Sequence, residues 1–135
     1  MTTVRLIFSL RDGPNYVRLE QPDTAELASI AEGTEALSLE LSDIGDLELA
    51  HLPELRSLRC LDLDSTKITD NSLTRLSNFP KLEELWLECT EVTDLGLQAL
   101  YRSPQLRFLS VAYTEVTPAG VQAIIQAIPG LEVSA

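Results

Sequence analysis

A period of 24 residues runs through this chain and decides most of what it can fold into. The run LRCLDLDSTKITD (residues 58–70) returns as LEELWLECTEVTD (82–94) and again as LRFLSVAYTEVTP (106–118). A weaker copy upstream sets Leu37, Leu39, Ser42 and Ile44 one period before Leu61, Leu63, Thr66 and Ile68. The second half of the unit repeats as well, through Leu49, Leu73, Leu97 and Val121, then Leu52, Leu76, Leu100 and Ile124. Pro80, Pro104 and Pro129 close successive units. Self-similarity at a fixed spacing means stacked supersecondary units, each unable to bury its apolar face alone.

Each part of the unit has a physical reading. The alternation Leu-x-Leu marks a short strand with one buried face. Ser42, Thr66, Thr90 and Thr114 fall where the chain leaves that strand, and a hydroxyl there can bond neighbouring backbone and stack in a ladder along the array. Thr69-Asp70, Thr93-Asp94 and Thr117-Pro118 read as helix N-caps followed by a favourable first-turn residue. Leu73/Leu76, Leu97/Leu100 and Val121/Ile124 lie three apart, on one face of a short helix that the proline then ends.

The pattern L-x-x-L-x-L-x-x-T-x-I-T-D-x-x-L-x-x-L resembles a leucine-rich repeat, closest to the cysteine-containing subclass, over about residues 34–133. Thr or Ser stands at the ladder position, where Asn or Cys is common in that family. The resemblance implies an α/β fold: a right-handed solenoid with parallel strands lining a concave face and short helices on the convex face. It implies a recognition scaffold rather than any particular activity. The array is divided into 34–57, 58–81, 82–105 and 106–130, with a truncated final strand at 131–135. Residues 1–33 are expected to cap its first unit. Val4, Leu6, Phe8 and Leu10 alternate, Arg11-Asp12-Gly13-Pro14 is a turn cluster, and Tyr16, Val17 and Leu19 follow. This predicts a β-hairpin whose second strand joins the sheet, then a helix opened by Asp23-Thr24 with Leu27 and Ile30 facing inward.

In stacked units, residues 24 apart become neighbours on the sheet, roughly 4.8 Å from each other. Four columns result: Ala36, Cys60, Glu84 and Phe108; then Ser38, Asp62, Trp86 and Ser110; then Glu40, Asp64, Glu88 and Ala112; and a rim of Leu41, Ser65, Cys89 and Tyr113. The single Trp is thus expected on the concave face with Phe108 and Tyr113 beside it, among Glu40, Asp62, Asp64, Glu84 and Glu88. Exposed aromatics flanked by fixed charge are a signature of a binding surface. These eight residues are the candidate partner-binding site.

Composition narrows the partner. Ten basic against 21 acidic residues give a net charge of −11, which disfavours nucleic acid and anionic membrane surfaces and favours a protein segment of basic character. Two cysteines, with no apolar run of membrane-spanning length and no signal-peptide pattern, suit a cytoplasmic protein. No catalytic or cofactor-binding constellation is recognised, and no cofactor is expected. His51 is alone, and Cys60 and Cys89 read as structural. The column Glu40/Asp64/Glu88 offers oxygen ligands for Ca²⁺ but converges poorly on a flat sheet, so no metal site is assigned. The expectation is a non-enzymatic protein–protein interaction module. Its alternatives are an inhibitor or immunity-type protein neutralising a basic enzyme, and an adaptor or assembly companion domain. The open edge of the last strand would allow weak homo-oligomers; otherwise the chain is expected to be a monomer.

Overall fold

The computed structural model describes residues 5–11 and 13–135, with Phe8 through its backbone alone. Among these residues six short strands form one parallel sheet in chain order: β1 (Tyr16–Arg18), β2 (Ala36–Ser38), β3 (Cys60–Asp62), β4 (Glu84–Trp86), β5 (Phe108–Ser110) and β6 (Glu132–Ser134). Leu37, Leu61, Leu85 and Leu109 stand opposite one another, so the 24-residue period is the register of the sheet. These four leucines, with Leu39, Leu63, Leu87 and Val111 two positions on, are all buried in one continuous core.

Short helices return the chain from each strand to the next: α2 (Thr24–Ala28), α3 (Asp46–Leu49), α4 (Asp70–Leu76), α5 (Asp94–Leu97) running into a 3₁₀ turn (Gln98–Arg102), and α6 (Pro118–Ala127). Leu49, Leu73, Leu76, Leu97, Leu100 and Ile124 close the core from the helix side. The hydroxyls of Ser42, Thr66, Thr90 and Thr114 donate to the carbonyl three residues back at 2.6–2.8 Å. Each of these bonds to neighbouring backbone lies within its own unit. Each stabilises a turn whose preceding residue, Leu41, Ser65, Cys89 or Tyr113, has a positive φ of 56–61°, a conformation that costs an L-residue roughly 1–2 kcal/mol.

The bonds between units come from the Thr-Asp pairs instead. Asp46 accepts from the amide and hydroxyl of Thr69 at 2.9 and 2.5 Å. Asp70 does the same for Thr93 at 2.7 and 2.6 Å, and Asp94 for Thr117 at 2.8 and 2.5 Å. Each carboxylate at the start of one helix therefore satisfies an orphan amide at the start of the next. Burial alone would raise the pKa of Asp46, but the bonds from Ser72 and Thr69 outweigh it and hold that carboxyl below its usual range.

The N-terminal cap departs from the hairpin expected of it. β1 joins the sheet parallel to β2, and α2 opens on a reciprocal pair in which Asp23 accepts from the Glu26 amide and Glu26 from the Asp23 amide. Leu27 and Ile30 are buried, as their spacing predicts. The segment before β1, however, is helix α1 (Leu6–Leu10), not a strand. Leu6, Ile7 and Leu10 fit one helical face as well as they fit alternation, and the open face of the sheet offers that helix an apolar seat. Val4 and Asp12, which the hairpin reading also used, lie outside the described residues.

Candidate functional site

The expected columns exist. Ala36, Cys60, Glu84 and Phe108 are consecutive register partners, as are Ser38, Asp62, Trp86 and Ser110. Both rows stand on the face of the sheet away from the helices α2 to α6. Sequence reasoning took that face to be open along its length, and α1 corrects this for half of it.

Under α1 the face is dry. Ile7 is 3% exposed and packs on Ala36 and Cys60, with Leu6, Leu10, Tyr16 and Trp86 around it; this cluster is separate from the main core. Phe108 and Glu84 are only 5% and 3% exposed, so neither is the solvated contact residue the sequence suggested. The Trp86 and Phe108 rings pack at 4.9 Å between centroids, tilted by 51°, and Trp86 is half-buried. Arg5 places its guanidinium 3.8 Å from the centre of the Phe108 ring and pairs with Glu132. Such a cation over an aromatic face contributes ~0.5–2 kcal/mol, more as water is excluded.

Glu84 holds this arrangement together. Its carboxylate accepts from the Trp86 indole N–H at 2.8 Å, from the Leu6 amide at 2.7 Å, and from the Cys60 thiol at 3.8 Å. The Leu6 amide is the first of α1, whose own N-cap, Arg5, offers no side-chain acceptor. Glu84 thus caps α1 from across the sheet. Burial and then the Glu84 charge push the Cys60 thiol well above its ordinary pKa, so Cys60 is an inert floor residue.

The other half of the face is acidic. One carboxylate oxygen from each of Glu40, Asp62 and Asp64 lies within 4.8 Å of the others. The trio that converges draws on two columns, because the Asp62 side chain joins Glu40 and Asp64 from the adjacent one. Arg18 pairs with Glu40 and touches Ser38. Asp62 accepts from the Asp64 amide at 3.0 Å, and Asp64 from the Glu88 amide at 2.8 Å. Burial outweighs those bonds: it raises the Asp62 pKa to about 6. Burial, with the Asp62 charge behind it, raises that of Asp64 to about 7. These three are the described residues best placed to hold a cation, and what the geometry offers one is compressed negative charge.

Tyr113 sits on the rim, 85% exposed at φ 59°, and Cys89 holds the equivalent exposed position one unit earlier. His51 is exposed beyond α3. Arg5, Leu6 and Ile7 are the site residues that sequence reasoning missed. The signal that could have found them is the apolar spacing of Leu6, Ile7 and Leu10, which suits a helix.

A family model described as leucine-rich repeats in two copies matches residues 56–102. A search of the curated proteins finds no match. Among solved structures, a leucine-rich repeat protein of Leptospira interrogans superposes with a TM-score of 0.57 at 19% identity, over 75% of this chain and 25% of that one. An internalin of Listeria monocytogenes superposes with a TM-score of 0.51 at 14% identity, over 76% of this chain and 35% of that one. The chain thus spans between a quarter and about a third of these neighbours, and at such identity the likeness is one of fold.

Proposed function

This is a leucine-rich repeat protein, and from that premise we propose that its sheet face binds a basic segment of another protein, without enzymatic activity. What carries the reading is the convergence of Glu40, Asp62 and Asp64 with oxygens inside 4.8 Å. Holding like charges together in a half-buried place opposes stability, and an incoming Arg or Lys relieves it. Glu88 extends the acidic strip, and the exposed ring of Tyr113 at the rim is the aromatic anchor of the kind binding surfaces favour. The net charge of −11 supports fast, salt-sensitive encounter with a basic target, as an inhibitor of a basic enzyme would use. Two unpaired cysteines support a reducing compartment, the cytoplasm. Among the described residues no helix is long and apolar enough to cross a membrane.

The test is titration of a hexa-arginine peptide into isotope-labelled protein, followed by amide chemical shifts at low and at high salt. Shifts should concentrate at residues 38–41, 62–65 and 86–89, weaken with salt, and vanish in the Asp62→Asn/Asp64→Asn chain. Shifts spread evenly over the acidic surface, or unaltered in that variant, would refute the assignment.

A further inference from the structure

We propose that α1 is a removable plug, and that the dry half of the sheet face beneath it is a docking site for a helix of the same chemistry from another protein. That chemistry is an Arg at the helix start followed at once by two apolar residues. The inference rests on reading the sheet face as a protein-binding surface, and it names what one half of that surface accepts.

Three features argue for a seat that exists apart from its occupant. The contacts fall in discrete subsites: Phe108 and Glu132 for the guanidinium of Arg5, Glu84 for the first amide, and the Ala36/Cys60 floor for Ile7. Among the described residues the side-chain cap of α1 comes from the sheet, where Glu84 accepts from the Leu6 amide, and a helix entering with a free first amide finds the same acceptor. The Ile7 cluster is separate from the main core, whose leucines lie on the other face of the strands. Lifting α1 therefore leaves the solenoid's own packing in place. It exposes Glu84, Phe108 and Trp86, which an isolated array would have little reason to carry on a wet face.

A segment tethered to its site competes at an effective concentration of about 1 mM. For a free helix that binds the bare seat with a dissociation constant of roughly 10–100 μM, the tether therefore weakens apparent binding about 10- to 100-fold. The experiment uses the full chain and a fluorescent, acetylated peptide of residues 5–11 (RLIFSLR), read by anisotropy. The wild-type chain should bind it poorly. Ile7→Asp, which sets a second carboxylate on the Ala36/Cys60 floor near Glu84, should bind it about 10- to 100-fold more tightly. Adding Glu84→Ala should return binding to the wild-type level. A thiol reagent supplies an independent readout: Cys89 labels in the wild type, and Cys60 becomes reactive in Ile7→Asp. Arg5→Glu/Ile7→Asp guards against incomplete release, and thermal melts confirm that each variant is folded.

The proposal is overturned if both variants bind the peptide no better than the wild type, or if their binding survives Glu84→Ala. It is overturned equally if Cys60 stays protected in both. A wild-type dimer that forms with concentration and disappears in Ile7→Asp would overturn it in favour of segment exchange between two copies. Peptide binding at Asp62 and Asp64 can succeed or fail independently, so the two readings are separable.

Discussion

Gly96→Ala is the substitution whose effect is most sharply defined by the stapling of one unit to the next. Gly96 is buried inside α5, one unit beyond Asp70. A β-carbon built on it would stand 2.5 Å from the Asp70 Cγ and 2.9 Å from its Cβ. The carboxylate must swing away, and it then loses the amide and hydroxyl of Thr93 at 2.7 and 2.6 Å. Hydrogen bonds to a charged group contribute ~1.5–3 kcal/mol each. Asp70 and Thr93 are only half-buried, so water recovers part of that, leaving a loss of ~2–4 kcal/mol for the pair. Replacing a helical glycine by alanine returns ~1 kcal/mol. The net is a destabilisation of ~1–3 kcal/mol, read as a shift of the urea midpoint at constant slope. The diagnostic measurement is a double-mutant cycle. With Asp70→Gly already in place both the carboxylate and the Cβ at 2.9 Å are gone, and Gly96→Ala should become stabilising by ~1 kcal/mol. Gly96→Ser should cost less than Gly96→Ala, because Ser72 holds the same position one unit earlier and donates to Asp46 at 2.5 Å. A Gly96→Ala chain as stable as the wild type, or one that loses as much in the Asp70→Gly background, would refute the staple.

Other outcomes follow from the same geometry. Asp62 and Asp64 have folded pKa values of about 6 and about 7 against 3.8 when unperturbed, so the folded chain holds more protons between pH 4 and 7. Stability should therefore rise as pH falls from 8 towards 5, then fall below about pH 4 as the depressed carboxyls of Asp46 and Asp94 are protonated. Asp62→Asn/Asp64→Asn should flatten the upper limb in a thermal melt series, and an unchanged limb would count against the assignment. Leu61→Ala, at a fully buried centre of the sheet, should cost ~3–5 kcal/mol in urea unfolding through the cavity it leaves. Tyr113→Gly relieves a positive φ on an exposed residue and should raise stability by up to ~1 kcal/mol. A loss there would mean that the ring makes contacts its exposure denies.

The array was legible because its information is local and repeated. An apolar residue at every second strand position and a copy 24 residues on fix both the buried face and the register, and the order β2 to β6 follows from them. The staples were half legible. Thr69-Asp70 reads as a helix start, but the partner of Asp70 lies 23 residues away, and side-chain reach across units has no periodic signature of its own. The substitution of Pro118 for the aspartate of earlier units is the trace it leaves, since the staple is not continued beyond Thr117. The N-terminal segment was misread because it occurs once. Alternation in Leu6, Phe8 and Leu10 cannot be told from an apolar helical face over so few residues, and what decides between them is a seat made by distant strands, its Glu84 lying 78 residues beyond Leu6.

The two halves of the face then differ for a reason that lies in the strands beneath them. Along the first column Ala36 and Cys60 are small and Phe108 is aromatic, so an apolar floor forms on which one carboxylate, Glu84, is tolerated only because three donors meet it. A buried anion left without such donors is costly, so Glu84 tolerates the cover of α1 because the helix brings it the Leu6 amide. In the third column the carboxylates of Glu40, Asp64 and Glu88 follow one another with Asp62 reaching in from the side, and no apolar floor can form. Covering that half with a helix like α1 would desolvate carboxylates already pushed up towards neutral pH. A short helix with a single leading cation is therefore confined to the first column. The third column can be covered only by a partner that brings positive charge of its own.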